Sequence, residues 1–183
     1  MKCCLNNKGF TLLETLIVIS IMAVTLSVAY FMMGGRGVRA RLKSESRDIS
    51  SYMKLARTGA IRDGRPWAIE FDVANRRYMI FNNSGETLGS ENWSDGDETL
   101  YRRVELPEQV SYGSGQGMRP GGSSLPGDGV SFSANRVVFN PNGTSESGTV
   151  YLSDAGGETF AVSSLATTGR VKIWTNYGSG WLD

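Results

Sequence analysis

The chain has 183 residues, a formal net charge of +1 and no histidine, the commonest general base and metal ligand in proteins. Its two cysteines, Cys3 and Cys4, both precede the apolar part of the chain, so the remainder has neither a disulfide nor a thiolate metal site. We therefore expect no enzymatic activity and no cofactor, and the nearly balanced charge favours no class of partner.

The first predicted element is a membrane-length apolar helix. The run extends from Phe10 to Met33 and carries no charge after Glu14. As a helix it would reach roughly 36 Å, which exceeds the ~30 Å hydrocarbon core of a bilayer. Gly34-Gly35-Arg36-Gly37 follows the run, and the small-residue cleavage pattern of a secretory signal is absent, so we expect the segment to be retained.

A single acidic residue stands at the head of this run. Glu14 closes the motif Lys8-Gly9-Phe10-Thr11-Leu12-Leu13-Glu14. An ionised side chain inside hydrocarbon costs about 2.5–3.5 kcal/mol on insertion scales, so an acid is retained there only when it has a use. Glu14 is therefore a candidate functional residue.

This motif resembles the class III signal of type IV prepilins and type II secretion pseudopilins. The resemblance implies that a prepilin peptidase removes residues 1–9 by cutting between Gly9 and Phe10, and that Phe10 becomes the N-methylated first residue. It also implies that residues 10–33 pack in the core of a filament. There the Glu14 carboxylate would meet the Phe10 amino group of a neighbouring subunit, each neutralising a charge that is costly in apolar surroundings.

The distribution of basic residues disagrees with the orientation that the motif implies. The cytoplasmic flank of a membrane span usually contains more lysine and arginine than the opposite flank. Lys2 and Lys8 precede the run, whereas more cations follow it closely: Arg36, Arg39, Arg41, Lys43 and Arg47. That bias alone would place the C-terminal domain in the cytoplasm. The motif places it in the periplasm, and we follow the motif.

A second helical pattern covers residues 34–62. Its apolar residues recur at three- and four-residue steps: Val38, Leu42, Ile49, Met53, Ala56 and Ala60. Glu45 interrupts this stripe, and the glycines at 34, 35 and 37 weaken the start of the segment. The pattern predicts an amphipathic extension whose apolar face lies on a sheet and which ends at Asp63-Gly64-Arg65-Pro66.

Residues 63–183 alternate apolar and polar side chains in short runs, as β-strands do. The runs lie around residues 67–71, 78–80, 102–110, 130–132, 137–139, 150–152, 160–162 and 171–173. Pro107 predicts an edge position or an early end for the third run. The turns between the runs predict a hairpin and then an antiparallel meander. We therefore predict an α+β pilin-like fold: a long N-terminal helix, transmembrane and then amphipathic, packed on an antiparallel β-sheet domain.

Two polar segments of this domain carry weaker signals. Asp95, Asp97 and Glu98 offer oxygens to calcium but lack the fuller spacing of a cation loop, so a solvated turn is favoured and no metal is expected. Residues 111–129 are rich in glycine, which predicts an exposed loop whose role the sequence does not specify.

The C-terminal part of the chain resembles the GspH/FimT group. The resemblance is carried by Phe139-Asn-Pro-Asn-Gly-Thr144, by the turn with Asp154 and Gly157, and by Gly169-Arg-Val-Lys-Ile173. It implies a minor pseudopilin of a type II protein secretion system, anchored in the bacterial inner membrane by a single span with its C-terminal domain in the periplasm. Major and other minor pseudopilins and secreted proteins are the implied partners. The alternative within the same fold is a minor type IV pilin in pilus assembly.

An alternative of a different class rests on Arg170 and Lys172. Their side chains lie on one side of a strand, and Trp174, Tyr177 and Trp181 follow closely enough to stack on bases. FimT-like minor pilins that take up DNA carry Gly-Arg-x-Arg at this position. In this chain Lys172 stands in place of the second arginine, and lysine lacks the planar guanidinium group that donates two parallel hydrogen bonds. Two cations release few counterions on binding DNA, so the affinity that they provide is small. We therefore favour the interpretation that this is a strand with one solvent-exposed face and not a nucleic-acid-binding site.

Overall fold

The computed structural model describes residues 11–83, 93, 98–114, 125–176 and 180–182. Four features predicted from the sequence lie outside these ranges: the cleavage site at Gly9 and Phe10, the carboxylates of Asp95 and Asp97, residues 115–124 of the glycine-rich segment, and Tyr177. The chain divides into two compact units, Met1–Gly37 and Val38–Asp183.

The first element is a single helix, α1, from Leu12 to Asp63. It continues through residues 34–37, so the glycines that weaken this stretch do not end the helix. It ends where the sequence predicts. Gly64 follows with a φ of +63°, a left-handed conformation that glycine adopts without strain after a helix. Pro66, which lacks an N–H donor, comes two residues later and cannot extend the helix.

Two antiparallel sheets follow α1 in the described part of the chain. Their strands are β1 (Trp67–Asp72), β2 (Arg77–Asn83), β3 (Glu98–Glu105), β4 (Val110–Tyr112), β5 (Arg136–Phe139), β6 (Gly148–Asp154), β7 (Thr159–Leu165), β8 (Arg170–Asn176) and β9 (Trp181–Leu182). The first sheet has the strand order β3-β2-β1-β5, and the second has the order β4-β6-β7-β8-β9. The predicted α+β class is confirmed.

The apolar stripe of α1 forms one side of the core. Its fully buried members are Leu42, Ile49, Met53, Ala56 and Ala60. They share one hydrophobic cluster with side chains of both sheets, among them Phe71 and Tyr78 of the first and Leu152 and Phe160 of the second. Burying a large apolar side chain stabilises the fold by about 1.5–3 kcal/mol, so this stripe holds the helix on the sheets, as predicted.

The run predicted around residues 102–110 is two strands, because the chain leaves the first sheet after β3 and enters the second at β4. Between them, the Val110 N–H donates to the Pro107 carbonyl at 2.9 Å and closes a turn. Arg76 Nη2 donates to the carbonyls of Pro107 and Val110, each at 2.7 Å. The crossover is therefore held by a side chain from the β1–β2 turn, which strand alternation does not indicate.

The prediction that β5 belongs to the meander is wrong. β5 pairs with β1, with Val137 opposite Ile69, and the neighbouring Arg136 bonds Glu70 through Nη2 at 2.6 Å. The meander consists of β6 to β9, and Val130 contributes a single bridge to Val150 instead of a strand. Alternation predicts which side chains face the core, but it does not select the neighbouring strand.

Candidate functional site

The first candidate surface is the apolar segment of α1. By length and composition, Leu12–Tyr30 is able to cross a membrane, and its mean hydropathy is 2.2. None of this stretch is buried within the described chain, and Leu12 is 83% exposed. Apolar surface of this extent indicates that lipid or another protein covers it.

Glu14 lies in the first turn of α1 and its side chain is exposed. Its backbone N–H lies 3.2 Å from Thr11 Oγ1 and 3.1 Å from the Thr11 carbonyl. Thr11 is therefore the N-cap, and Glu14 occupies the acidic position of a capping box. A carboxylate at this position also interacts favourably with the positive end of the helix dipole. This local role was not predicted from the sequence, although Thr-x-x-Glu is its signal.

The hydroxyl side chains inside the apolar segment are satisfied by the helix itself. Ser20 donates to the Leu16 carbonyl at 2.8 Å, and Ser27 donates to the Ala23 carbonyl at 2.7 Å. A hydroxyl that is bonded to its own helix costs little when it is transferred out of water. Both residues are therefore compatible with an apolar environment.

The second candidate surface is one face of the second sheet. Arg170, Lys172 and Trp174 alternate along β8 and line a cleft of about 480 Å³. The register sets Lys172 opposite Ser163 of β7 and Ser163 opposite Thr149 of β6. The cleft therefore crosses three strands, with its two cations on the same side of β8.

The aromatic residues predicted to stack on bases have contacts within the protein. Lys172 Nζ lies 4.0 Å from the centroid of the Trp174 ring, a cation–π contact. The Trp181 ring lies 5.8 Å from that of Tyr151 in an edge-to-face arrangement. Tyr177 lies outside the described residues. One face of Trp174 therefore already carries a cation.

Two family models match the chain. The model for type II transport protein GspH matches residues 45–169, more than half of the chain. The chain belongs to the GspH family. The model for the prokaryotic N-terminal methylation motif matches residues 4–30, which include the candidate cleavage site and Glu14.

One curated relative of this GspH-family chain is the type II secretion system protein H of Escherichia coli strain K12. It is 31% identical over 89 residues, an alignment that covers 48% of this chain and 51% of the relative. The chain thus spans about half the length of the curated relative that it matches.

Two solved structures have a similar fold. The minor pseudopilin EpsH from the type 2 secretion system of Vibrio cholerae matches with a TM-score of 0.51 and 14% identity, over 74% of this chain and 97% of EpsH. The solution structure of E. coli GspH matches with a TM-score of 0.51 and 16% identity, over 80% of this chain and 97% of GspH. These matches concern the fold and carry no residue roles.

A buried polar group lies between α1 and the first sheet of this GspH-family chain. Glu45 Oε2 and the Tyr78 hydroxyl are both enclosed, and neither has a hydrogen-bond partner among the described residues. Burial, and then the charge of Asp48, raises the pKa of Glu45 above its ordinary value. Burial, and then the charge of Glu45, also raises the pKa of Tyr78. The sequence signal for this group is the interruption of the apolar stripe at Glu45.

The acidic segment gives no further evidence for a metal site. Among the described residues, no three carboxylate, thiol or imidazole side chains are grouped so as to hold a metal ion. Glu98 begins β3, while Asp95 and Asp97 lie outside the described ranges. The preference for a solvated turn over a calcium loop therefore stays a prediction.

Proposed function

We propose that this chain is a minor pseudopilin of a type II protein secretion system. One observation carries the proposal: a match to the N-terminal methylation motif over residues 4–30 precedes a GspH match over residues 45–169 in the same chain. A chain with both parts is processed at a membrane through the first and contributes a folded subunit to a filament through the second.

The proposed processing begins with removal of the leader. A prepilin peptidase cuts between Gly9 and Phe10, releases residues 1–9 and methylates the new amino group of Phe10. The matched methylation motif supports this step. Cleavage also removes both cysteines, which leaves a mature chain that needs no redox partner.

The proposed mature chain has three parts. Residues 10–33 form the membrane-spanning and filament-core helix, residues 34–62 form its amphipathic extension, and residues 63–183 form the β-rich domain. The exposed apolar surface of Leu12–Tyr30 supports the first part, since such a surface gains free energy when lipid or neighbouring helices cover it. The buried stripe of α1 supports the second.

Assembly depends on Glu14 in this proposal. Glu14 follows Phe10 by four residues in the sequence, and its exposed carboxylate pairs with the Phe10 amino group of a neighbouring subunit. A charged amino group in an apolar filament core is costly unless an opposite charge compensates it. Glu14 therefore favours one longitudinal register between adjacent helices over others.

The proposed location is the bacterial inner membrane, crossed once, with the C-terminal domain in the periplasm. The partners are the prepilin peptidase, the major pseudopilin and other minor pseudopilins, and secreted proteins that contact the β-rich domain. The role is structural, so the proposal assigns no catalytic residue and no cofactor to the chain.

Deletion of the chain tests the proposal. A protein that is normally exported through the secretion system should fall in the medium and accumulate in the periplasm, and the wild-type chain supplied in trans should restore export. A Gly9→Val variant, which blocks access of the peptidase to the leader junction, should not restore it. An Asn6→Ala variant in the same leader is the matched control and should restore export fully.

Unchanged export in the deletion strain contradicts the proposal. If surface pili are lost at the same time, the chain is a minor type IV pilin. If neither export nor pili change, and the chain keeps its leader in cells with an active peptidase, the apolar helix is an ordinary membrane anchor.

A further inference from the structure

Arg57 of α1 is fixed in place by two turns of the β-rich domain. Its Nε donates to the Gly143 carbonyl at 3.2 Å. A Cβ placed on Gly169 would lie 2.8 Å from Arg57 Nε and 2.6 Å from the Gly143 carbonyl oxygen, so glycine leaves the room that this contact needs. Both glycines are buried, and they belong to the two segments that carry the resemblance to the GspH/FimT group. The fold therefore sets the position of the Arg57 guanidinium.

The charge of Arg57 is not compensated within the described part of the chain. Arg57 is half-buried and forms no ion pair with a described carboxylate. Its Nη1 and Nη2 atoms bond no described residue and are not enclosed, so they reach the surface. They carry four N–H donors in one plane, a geometry that matches the two oxygens of a carboxylate. A carboxylate that bonds there also compensates a charge that is partly removed from water.

An exposed apolar side chain lies beside this cation. Ile61 follows Arg57 by about one turn of α1 and is 48% exposed. Both side chains approach the same point, since a Cβ placed on Gly143 would lie 3.5 Å from Arg57 Nη2 and 3.5 Å from Ile61 Cδ1. Arginine is enriched at protein–protein interfaces and among the residues that contribute most to binding. An arginine next to an uncovered apolar side chain therefore favours a protein ligand.

Other anionic ligands fit this surface less well. A small anion such as phosphate would pair with Arg57 but would leave Ile61 in water. A polynucleotide gains much of its affinity by releasing counterions from several phosphates, and a single fixed guanidinium releases few. A carboxylate that is carried by a protein chain suits both side chains, because a residue next to it covers Ile61 and gains the free energy of apolar burial.

We propose that Arg57 and Ile61 bind a neighbouring subunit of the filament through an aspartate or glutamate that lies next to an apolar residue. The inference rests on the proposed function, because it takes the partner to be another pseudopilin. Continuity with the proposed filament contact supports this choice, since α1 also contains the segment that packs in the filament core. Glu14 then acts between the apolar helices, and Arg57 acts between the folded domains.

Carbodiimide crosslinking tests the proposal, with the full chain in membranes of cells that express the secretion system. The reagent joins an amine to a carboxylate in contact with it, and Arg57→Lys places an amine where the guanidinium was. This variant should give a crosslink to another pseudopilin that the wild-type chain does not give. Mass spectrometry should identify an aspartate or glutamate of the partner joined to residue 57. Arg103→Lys, which replaces an exposed arginine of β3, is the matched control and should give no such crosslink.

Two further variants separate recognition from folding. Arg57→Gln should weaken binding of the other pseudopilin to the affinity-tagged chain about tenfold, as expected for loss of a charged hydrogen bond. Ile61→Ser should also weaken binding, although it leaves the bond between Arg57 and Gly143 intact. Circular dichroism melts of the full chain in detergent show whether each variant is folded, and Ile61→Ser should melt close to the wild type.

Three results overturn the proposal. One is that folded Arg57→Lys gives no crosslink beyond those of the wild type and of Arg103→Lys. Another is a crosslink between two copies of this chain or to a secreted protein, which assigns the surface to a different partner. The third is unchanged binding of the other pseudopilin by either folded variant, Arg57→Gln or Ile61→Ser, which leaves Arg57 only its structural bond to Gly143.

Failure of this inference is distinguishable from failure of the proposed function. Export in the deletion strain and in the Gly9→Val variant tests the proposed function without any change at Arg57. If deletion abolishes export and no crosslink forms at residue 57, the proposed function holds and this inference fails. If export is unchanged and the crosslink joins a type IV pilin, the contact holds and belongs to that filament.

Discussion

Glu14 combines two physical roles that are separable by mutation. Its backbone N–H completes the cap with Thr11, and its carboxylate lies near the positive end of the helix dipole. The first role depends on the Thr11 hydroxyl and the second on charge. In the proposed filament only the charge neutralises the amino group of a neighbouring Phe10, so we expect assembly and helix capping to respond to different substitutions.

We predict that Glu14→Gln leaves membrane insertion unchanged and impairs assembly. The amide keeps the size of the side chain but leaves the neighbouring amino group uncompensated, which costs about 3–5 kcal/mol for a buried ion pair that loses one partner. The measurement is the fraction of the variant that crosslinks in cells to the major pseudopilin, with carbonate extraction as the test of insertion.

Thr11→Ala is the matched control for Glu14→Gln. It removes the capping hydroxyl at a cost of about 1 kcal/mol and leaves the charge in place, so crosslinking should stay close to the wild-type level. Equal loss of crosslinking in both variants would mean that Glu14 acts through helix capping rather than through charge pairing.

Gly59 lies where α1 approaches the first sheet closely. A Cβ placed on Gly59 would lie 2.7 Å from Cε2 of the buried Trp67 ring. Gly37, in the same helix, has nothing within 4 Å of such a Cβ. The two glycines therefore have opposite responses to an added methyl group.

We predict that Gly59→Ala destabilises the chain and that Gly37→Ala does not. Overpacking costs about 1–3 kcal/mol and outweighs the gain in helix propensity, which is about 1 kcal/mol and acts alone at Gly37. Thermal melts in detergent, followed by far-ultraviolet circular dichroism, measure both. A higher melting temperature for Gly59→Ala would contradict the close packing.

At the scale of elements, local signals in the sequence are sufficient to predict α1 and most of the strands. The stripe through Leu42 and Met53 predicts the buried face of α1, and the Gly64 signal predicts its end. The path of the chain between the two sheets is not predictable from local signals. It depends on Arg76, which has a φ of 52° and bonds the carbonyls of Pro107 and Val110. No periodicity specifies such a contact between distant residues.

Glu45 gives the packing of α1 on the first sheet a dependence on pH. Burial and the charge of Asp48 raise its pKa above the ordinary value of 4.5. Between 4.5 and the raised value, the folded chain holds a proton that the unfolded chain has released. The free energy of unfolding therefore falls as the pH rises through this window, and it is higher on the acidic side.

We predict that Glu45→Gln is more stable than the wild type at neutral pH and lacks this part of the pH dependence. The amide fits the same space and no charge needs to be buried beside Tyr78. Denaturant unfolding at a series of pH values measures the slope. Asp48→Asn should give an intermediate slope, and a wild-type slope in Glu45→Gln would contradict the assignment.

At the scale of the whole molecule, the β8 cleft is only partly predictable. The two-residue spacing places Arg170 and Lys172 on one side of a strand. The row formed with Ser163 and Thr149 depends on the register of three strands, and the Thr149 N–H reaches Ser131 only because the loop before β5 lies beside β6. The strand register and the position of this loop depend on contacts between residues that are distant in the sequence. The sequence therefore predicts the two cations but not the hydrogen-bond donors around them.

Two of the basic residues after the apolar run, Arg39 and Arg41, have contacts within the folded chain. Arg39 Nε lies 3.3 Å from Glu158 Oε2, and Arg41 Nη1 donates to Gln109 Oε1 at 2.8 Å. Both cations therefore hold α1 to its own β-rich domain after folding. These contacts give Arg39 and Arg41 a role in the folded domain whichever side of the membrane the domain occupies.

We predict that the C-terminal domain is periplasmic despite the basic residues. Because the proposed cleavage removes Cys3 and Cys4, a Thr167→Cys variant, in the exposed turn between β7 and β8, should give a mature chain with one thiol. A membrane-impermeant maleimide should label it in intact spheroplasts as fully as after lysis. In a strain without the peptidase, the natural Cys3 and Cys4 of the uncleaved chain should be labelled only after lysis. Labelling of Thr167→Cys only after lysis would place the domain in the cytoplasm, as the charge bias implies, and would remove the domain from a periplasmic filament.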